Sequence, residues 1–151
     1  IPIAADESIR RSGDPERVVA LEAADIAVLK VQPLGGVRRC LELAESLGLP
    51  VVVSSALESS IGLRAGIALA ASLPELPYAC GLNTAALFAR DVTIEPLVAD
   101  RGAIAVRNVE LNEAGSWRAD PTTAAWWRER WESIADPSDR GRRAGSWEVG
   151  G

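Results

Sequence analysis

Four short apolar runs recur along the first part of the chain at nearly constant spacing. They cover residues 1–5, 25–30, 50–54 and 78–82, and the residues at their ends are Asp6, Lys30, Ser54 and Gly81. These end residues are 24 (6 to 30), 24 (30 to 54) and 27 (54 to 81) positions apart. Almost continuous apolar runs are typical of parallel strands that are covered on both faces. The spacing therefore predicts a repeated βα unit in an α/β fold. Such a repeat occurs most often in a barrel.

An open, doubly wound sheet is the alternative arrangement of βα units. Such sheets usually carry a glycine-rich phosphate-binding motif after a strand. Here Gly35 and Gly36 are only a pair. The barrel is therefore the favoured prediction for residues 1–92.

The segments between the predicted strands carry helix start and stop signals. Each helical pattern has a start signal, an Asp or Ser before it, or a stop signal, a Gly or Pro after it, as is common at helix ends. The predicted helices are residues 14–24, opened by Asp14-Pro15, residues 37–47, ended by Gly48, and residues 61–73, capped by Ser59 or Ser60 and ended by Pro74.

The pattern changes beyond residue 92, where a second segment, residues 93–135, is predicted. Short strands are expected at residues 102–106 and 109–111, outside the repeat. Asp120-Pro121 then opens a helix with an apolar stripe that we expect to pack in a core rather than to bind a cofactor or carbohydrate. The stripe consists of Ala124, Trp127, Trp131 and Ile134. Pro, Ser, Asp, Gly and Arg dominate residues 136–151, which predicts a disordered tail.

The chain contains no Met, and its first residues already have the pattern of a buried strand. A gene product normally starts with Met and often has a few polar residues before its first element. We therefore expect the chain to be part of a longer protein with sequence upstream of Ile1.

Composition excludes several classes of function. The net charge is −5 and the one dense basic run is residues 140–143, so a nucleic-acid partner is not expected. No apolar run reaches the 18 or more residues of a membrane span, and none is expected. With no His in the chain, a Ser-His-Asp triad and a His-ligated zinc are excluded. Cys40 and Cys80 lack metal or redox spacing and are expected to be reduced, buried thiols of a cytoplasmic protein.

In a barrel, the four strand ends would meet at one mouth although they are far apart in sequence. An Asp after a strand often serves only to cap a turn, so Asp6 is weak evidence by itself. Lys30 is more unusual, because a buried ammonium is costly unless it has a partner or a task. The task would be proton transfer or stabilisation of a developing anion. A structural salt bridge to Asp6 or Glu7 is the competing explanation.

A serine-rich segment, residues 54–60, joins the third predicted strand to its helix. Its amides and hydroxyls could hold a substrate carboxylate, because a helix N-terminus favours anions. The alternative is that Ser59 or Ser60 simply caps the helix, and the sequence favours neither explanation.

Four motifs in order resemble the o-succinylbenzoate synthases of the actinobacterial type, members of the enolase superfamily. They are PIAADES at residues 2–8, VLKVQPLGG at 28–36, VSSALESSIG at 53–62 and ACGL at 79–82. The resemblance covers about residues 1–110. It implies that the chain is the C-terminal half of a (β/α)7β barrel, holding its last four strands, and that its C-terminal segment packs on a capping domain.

The resemblance also implies roles for individual residues. Asp6 matches one of three carboxylates that hold Mg²⁺, with Mn²⁺ as a possible substitute, and Glu7 would orient Lys30 or the metal site. Lys30 matches one of two lysines that face each other across the substrate. Ser54, Ser55 and Gly81 would line the substrate. The other lysines and carboxylates of the family precede Ile1.

The activity implied for the complete protein is dehydration of a cyclohexadiene carboxylate to o-succinylbenzoate in menaquinone biosynthesis. The expected partner is therefore a small carboxylate substrate. An N-succinylamino acid racemase on the same scaffold is the nearest alternative. A non-catalytic, self-associating half-barrel is the alternative from a different class, and the sequence leaves the oligomeric state open.

Overall fold

The computed structural model describes residues 1–11, 13–113 and 119–135. They belong to two compact units, Ile1–Glu113 and Ala114–Gly151. None of the helices in the described ranges has the length and hydropathy needed to cross a membrane. The first unit contains, in chain order, β1 (Ala4–Ala5), a 3₁₀ helix (Glu7–Ile9), α1 (Asp14–Ala20), β2 (Ile26–Lys30), α2 (Val37–Leu47), β3 (Val51–Ser54), α3 (Ser60–Ser72) and a second 3₁₀ helix (Thr84–Leu87).

The three strands form a parallel sheet in the order β1-β2-β3. Ala5 pairs with Ala27, and Lys30 pairs with Ser54. An isolated parallel bridge between Ser54 and Gly81 places one more chain segment next to β3. The predicted sequence of parallel βα units is therefore present.

Two predicted strands are much shorter in the structure. The run at residues 1–5 forms a strand only at Ala4–Ala5. At Ile3 the amide donates to the Asp25 side chain, 2.7 Å away, and the carbonyl oxygen accepts from the amides of Asp25 and Ile26. The run at residues 78–82 is reduced to the single bridge at Gly81. Glycine packs no side chain on a sheet, which weakens a strand at this position.

The strands predicted at residues 102–106 and 109–111 are also wrong. In their place the structure has isolated antiparallel bridges, Asp100 to Ala103 and Thr93 to Leu111. The first bridge closes a tight turn that contains Gly102, at φ +82°. The local turn therefore replaces an extended strand.

The helices follow the local signals with small shifts at their ends. Helix α2 has the predicted bounds and ends at Gly48 with a left-handed φ of +65°. Helix α1 ends at Ala20, four residues before the prediction, and Glu22 just beyond it has φ +49°. The side chain of Asp14 accepts a hydrogen bond from the amide of Arg11, although Gly13 occupies the N-cap position.

The core lies between the sheet and helices α2 and α3. Leu29 and Val53 of the strands are fully buried against Leu43 and Leu63 of the helices. Cys40, on α2, is a free thiol and is also fully buried. Burial raises the pKa of the Cys40 thiol to about 11, and the neighbouring Arg39 guanidinium opposes this rise.

Helix α3 packs very closely on the segment that follows it. A Cβ added to Gly66 would lie 2.8 Å from Cδ2 of Leu82, which is closer than real Cβ contacts. The absence of a side chain at Gly66 is therefore what lets the helix approach Leu82.

The second unit contains α4 (Pro121–Ala135). Asp120 caps it as predicted: its Oδ1 accepts hydrogen bonds from the amides of Thr122 and Thr123, both at 3.0 Å. A further hydrogen bond from the hydroxyl of Thr123 is the largest cause that lowers the pKa of Asp120.

The predicted core around the tryptophan stripe of α4 is not formed within the described part of the chain. Trp127 and Trp131 are 59% and 70% exposed, and the ring of Trp127 packs edge-on against that of Trp126. Packing on a capping domain therefore stays a prediction. The tail predicted at residues 136–151 lies outside the described residues.

Candidate active site

Asp6 and Lys30 meet at the carboxyl ends of adjacent parallel strands, as their spacing predicts. The Nζ of Lys30 lies 2.6 Å from Oδ1 of Asp6 and 4.0 Å from Oε1 of Glu7. Lys30 is only 5% exposed, whereas the side chain of Asp6 is partly open to solvent. Oδ1 of Asp6 makes no hydrogen bond within the described residues, so the contact with Lys30 is an ion pair without hydrogen-bond alignment.

The salt bridge considered as the competing explanation for Lys30 is therefore present in the structure. It offsets part of the cost of burying the ammonium, but it does not exclude a catalytic task. Glu7 is also engaged elsewhere, because it accepts a hydrogen bond from the guanidinium of Arg10. The predicted role of Glu7 in orienting Lys30 is compatible with its position at the edge of this pair.

Lys30 is the single lysine in the chain, and the other 15 of its 16 basic residues are arginines. An arginine stays protonated in proteins, whereas a lysine amine can exchange its proton. A lone lysine at a buried strand end therefore indicates proton transfer or anion stabilisation. This signal is visible in the sequence alone.

Ser54 and Gly81 lie beside Lys30 at the same edge of the sheet. Ser54 is paired with Lys30 on one side and with Gly81 on the other. A Cβ added to Gly81 would lie 2.8 Å from Oγ of Ser54. Glycine at position 81 therefore keeps the space around the Ser54 hydroxyl free, and the four predicted strand-end residues share one edge.

Ser55 is already held by hydrogen bonds to its own chain. Its amide and its hydroxyl both donate to the carbonyl oxygen of Gly81, at 3.0 and 2.9 Å. The hydroxyl also lies 3.1 Å from that of Thr84. The hydroxyl of Ser54, by contrast, makes only a long contact of 3.5 Å with the same carbonyl. Of the two serines, Ser54 is thus the one with capacity to bind a ligand.

The structure does not show the helix capping considered for the serine-rich segment, and its role in holding a substrate carboxylate stays a prediction. Ser59 occupies the N-cap position of α3 but makes no side-chain capping hydrogen bond. The amide of Ala56 donates to both carboxylate oxygens of Glu58 at 2.9 Å, so a carboxylate of the chain itself occupies this amide. The amide and the hydroxyl of Ser60 both donate to the carboxylate of Asp91.

Glu58 and Gln32 are residues of this site that the sequence prediction did not single out. The side-chain amide of Gln32, two positions after Lys30, donates to the carbonyl oxygen of Gly62 at 3.1 Å. A Cβ on Gly62 would lie 2.6 Å from Cβ of Glu58. The end of β2 and the loop after β3 are thereby connected through the first turn of α3.

A cleft of about 670 Å³ lies at the opposite end of the sheet from Lys30, beside Pro50 and the first residue of β3, Val51. Its lining is mainly apolar. The contact between Asp6 and Lys30 confirms that they meet at one end of the sheet, whereas the expectation that they line a shared cavity stays a prediction.

The described residues do not make a magnesium site by themselves. No group of three or more His, Cys, Asp and Glu side chains in the described ranges is arranged to hold a metal ion. Mg²⁺ requires about six oxygen ligands, and Asp6 offers one carboxylate that is already paired with an ammonium.

Residues 1–110 match the family model described as "Enolase C-terminal domain-like". The o-succinylbenzoate synthase of Thermobifida fusca is 56% identical over 140 residues, which are 89% of this chain and 44% of that protein. That of Mycolicibacterium smegmatis is 52% identical over 132 residues, 86% of this chain and 41% of that protein. The chain thus spans about two fifths of the length of these relatives.

Solved structures show the same fold. A muconate lactonizing enzyme from Pseudomonas fluorescens superposes with a TM-score of 0.70 at 29% identity, over 75% of this chain and 33% of that one. An N-succinyl Arg/Lys racemase from Bacillus cereus superposes with a TM-score of 0.64 at 27% identity, over 76% and 32%. The predicted α/β fold and the resemblance to o-succinylbenzoate synthases are confirmed, and the chain belongs to the enolase C-terminal domain-like family.

Proposed function

We propose that the whole protein to which this chain belongs is an o-succinylbenzoate synthase. It would act as a lyase in menaquinone biosynthesis and dehydrate 2-succinyl-6-hydroxy-2,4-cyclohexadiene-1-carboxylate. The observation that carries the proposal is the buried Lys30 beside Asp6 at the carboxyl end of the sheet, in a chain that is 56% identical to a synthase. The substrate class, a small carboxylate, and a cytoplasmic location are part of the proposal.

Loss of the proton next to the substrate carboxylate places negative charge on that carboxylate. A buried ammonium stabilises such charge strongly, because little water is present to screen it. Lys30 is 5% exposed and forms an ion pair with Asp6. In the proposed reaction Lys30 therefore supplies positive charge to the developing anion or transfers a proton to it.

Ser54 and Gly81 would bind the substrate at the same edge. The Ser54 hydroxyl makes only a long hydrogen bond within the chain and can bond to a ligand, and Gly81 leaves room beside it. We propose that this hydroxyl donates to the second carboxylate of the substrate. Ser55 would act through its hydrogen bonds to Gly81, which fix the two segments against each other.

Enolase-superfamily enzymes generally use a divalent metal ion that stabilises an enediolate. For Mg²⁺, or Mn²⁺ in its place, Asp6 would be one ligand, and further ligands would come from parts of the whole protein outside this chain. The described residues do not complete such a site by themselves.

An N-succinylamino acid racemase is the second candidate, supported by the structural likeness to the Bacillus cereus racemase. It fits less well, since that enzyme is 27% identical whereas curated synthases are 50–56% identical. Racemisation would require Lys30 to exchange protons, whereas dehydration could need only its charge.

The test is substitution of Lys30 in the whole protein. We expect Lys30→Ala to lower the dehydration rate by about 10²-fold or more, because a group that stabilises transition-state charge is lost. Lys30→Arg keeps the positive charge but cannot exchange a proton, so it should retain more dehydratase than racemase activity. Both rates are measured together with the far-UV circular dichroism spectrum. Full dehydratase activity in a folded Lys30→Ala protein would contradict the proposed role.

A further inference from the structure

The glycine pair Gly35-Gly36 closes the turn that follows Lys30 at the end of β2. Gly36 has φ +114° and ψ +170°, a backbone region that is essentially limited to glycine. A Cβ on Gly36 would meet no atom of the described residues within 4 Å. The structure therefore requires glycine at position 36 for its backbone angles, and not to leave room for a neighbouring group of this chain.

Gly36 connects this turn to helix α2, of which it is the N-cap residue. Its amide donates to the carbonyl oxygen of Val31 at 2.8 Å, and its carbonyl oxygen accepts from the amide of Cys40 at 3.1 Å. Val31 and Cys40 are both buried residues of the core. The backbone angles of Gly36 thus set the direction in which α2 leaves the end of β2.

The backbone of Lys30 depends on this turn because β2 is paired on one side only at that point of the described sheet. The pairing of β1 with β2 ends at Ala27, three positions before Lys30, whereas Ser54 of β3 pairs with Lys30 itself. The carbonyl oxygen of Lys30 accepts from the amide of Leu34 at 3.3 Å, and the side chain of Leu34 is buried. Within the described sheet, the turn therefore supplies the second backbone constraint on Lys30.

We propose that Gly36 is a positioning residue that holds the ammonium of Lys30 at the place the reaction requires. The inference rests on the proposed function. An alanine at position 36 cannot keep these backbone angles without strain, so the hydrogen bond to Val31 should open and the end of β2 should shift. The ammonium of Lys30, 2.6 Å from Oδ1 of Asp6, would shift with it. A displacement of about 1 Å in a reacting group can lower a rate about 10²-fold.

The experiment compares Gly36→Ala with the control Gly48→Ala in the whole protein. Gly48 ends α2 with φ +65°, beside the cleft at the opposite end of the sheet from Lys30, and a Cβ there also meets no described atom within 4 Å. Both substitutions should lower the melting temperature, because both place alanine in a conformation that suits glycine. Gly36→Ala alone should lower kcat, by about 10-fold with KM within about threefold, because Lys30 acts on charge that develops during the reaction.

A double-mutant cycle with Lys30→Ala separates positioning of Lys30 from a general loss of stability. If Gly36 acts through Lys30, adding Gly36→Ala to the Lys30→Ala protein should lower kcat by less than about twofold further. A further loss of about 10-fold in the double variant would overturn the inference, because the two effects would then be independent. The parent kcat in Gly36→Ala, or an equal loss of kcat in Gly48→Ala, would overturn it as well.

A milder variant of the same turn covers the case in which Gly36→Ala does not fold. Gly35 has φ +93°, and Gly35→Ala then has to show the same non-additive loss of kcat for the inference to stand. Full activity of Lys30→Ala would refute the proposed role of Lys30, and this inference with it. Loss of activity in Lys30→Ala, together with an unchanged kcat in Gly36→Ala, would refute this inference alone.

Discussion

Ser60 begins helix α3 and connects it to the segment near residue 91 through hydrogen bonds that are all buried. Its amide donates to Oδ2 of Asp91 at 3.0 Å, and its hydroxyl donates to the same carboxylate. The hydroxyl also accepts a hydrogen bond from the amide of Leu97 at 2.7 Å. Ser60 is fully buried, and Asp91 and Leu97 are nearly so. Replacing Ser60 by Ala therefore leaves the Leu97 amide without this partner and takes one donor from the Asp91 carboxylate.

The expected cost follows from these two losses. A hydrogen bond to a charged group contributes about 1.5–3 kcal/mol, and an unpaired buried amide costs about 1–3 kcal/mol. Asp91 keeps the amides of Ser60 and Val92 as donors, so the carboxylate remains partly paired. We therefore expect Ser60→Ala to lower the free energy of unfolding by about 3 kcal/mol.

A matched control lies on the same helix. The hydroxyl of Ser72 donates to the carbonyl oxygen of Ala68 in an exposed position. Ser72→Ala should therefore change the free energy of unfolding by only about 0.5 kcal/mol or less. Urea titration of the whole protein, followed by far-UV circular dichroism, gives both values if the slope m is unchanged. A Ser60→Ala protein within about 1 kcal/mol of Ser72→Ala would show that the Ser60–Asp91 connection is not needed for stability.

Three further predictions concern stability, association and metal binding. Because burial raises the pKa of the Cys40 thiol from 9.0 to about 11, the folded chain keeps a proton that the unfolded chain loses in this range. Stability should thus fall as pH rises from 9 to 11, and the fall should be smaller in Cys40→Ala when urea midpoints are compared across that range. The isolated chain of 151 residues should self-associate, because in the described sheet β1 pairs on one side only. It should also fail to bind Mg²⁺ tightly; a monomer in sedimentation with micromolar Mg²⁺ affinity by calorimetry would contradict this prediction.

The sequence predicts those parts of the molecule that depend on nearby residues or on regular spacing. The bounds of α2 follow from its apolar periodicity and from Gly48, since both signals are local. The meeting of Asp6 and Lys30 follows from the constant βα spacing, because parallel strands of equal repeat place their ends at one edge.

Other parts of the structure depend on contacts that the sequence pattern does not show, and they could not be predicted from the sequence. Ser60 has the sequence pattern of a helix cap, but its hydroxyl is committed to Asp91, 31 positions later. The carboxylate of Glu58 accepts a hydrogen bond from the amide of Ala56, a local contact that the sequence pattern of this loop does not predict. The strand predicted at residues 78–82 pairs at Gly81 alone, since apolar content does not determine how long a pairing extends.

The close contact between Gly66 and Leu82 also affects the motions available to this part of the molecule. Helices change position in proteins mainly by sliding over their neighbours or by rotating about hinges at their ends. Because the backbone of α3 lies almost directly against Leu82, with Val53 of β3 on the same side, sliding would require this packing to open. Helix α3 and the segment at Leu82 should therefore move together, as one body, and not shift past each other.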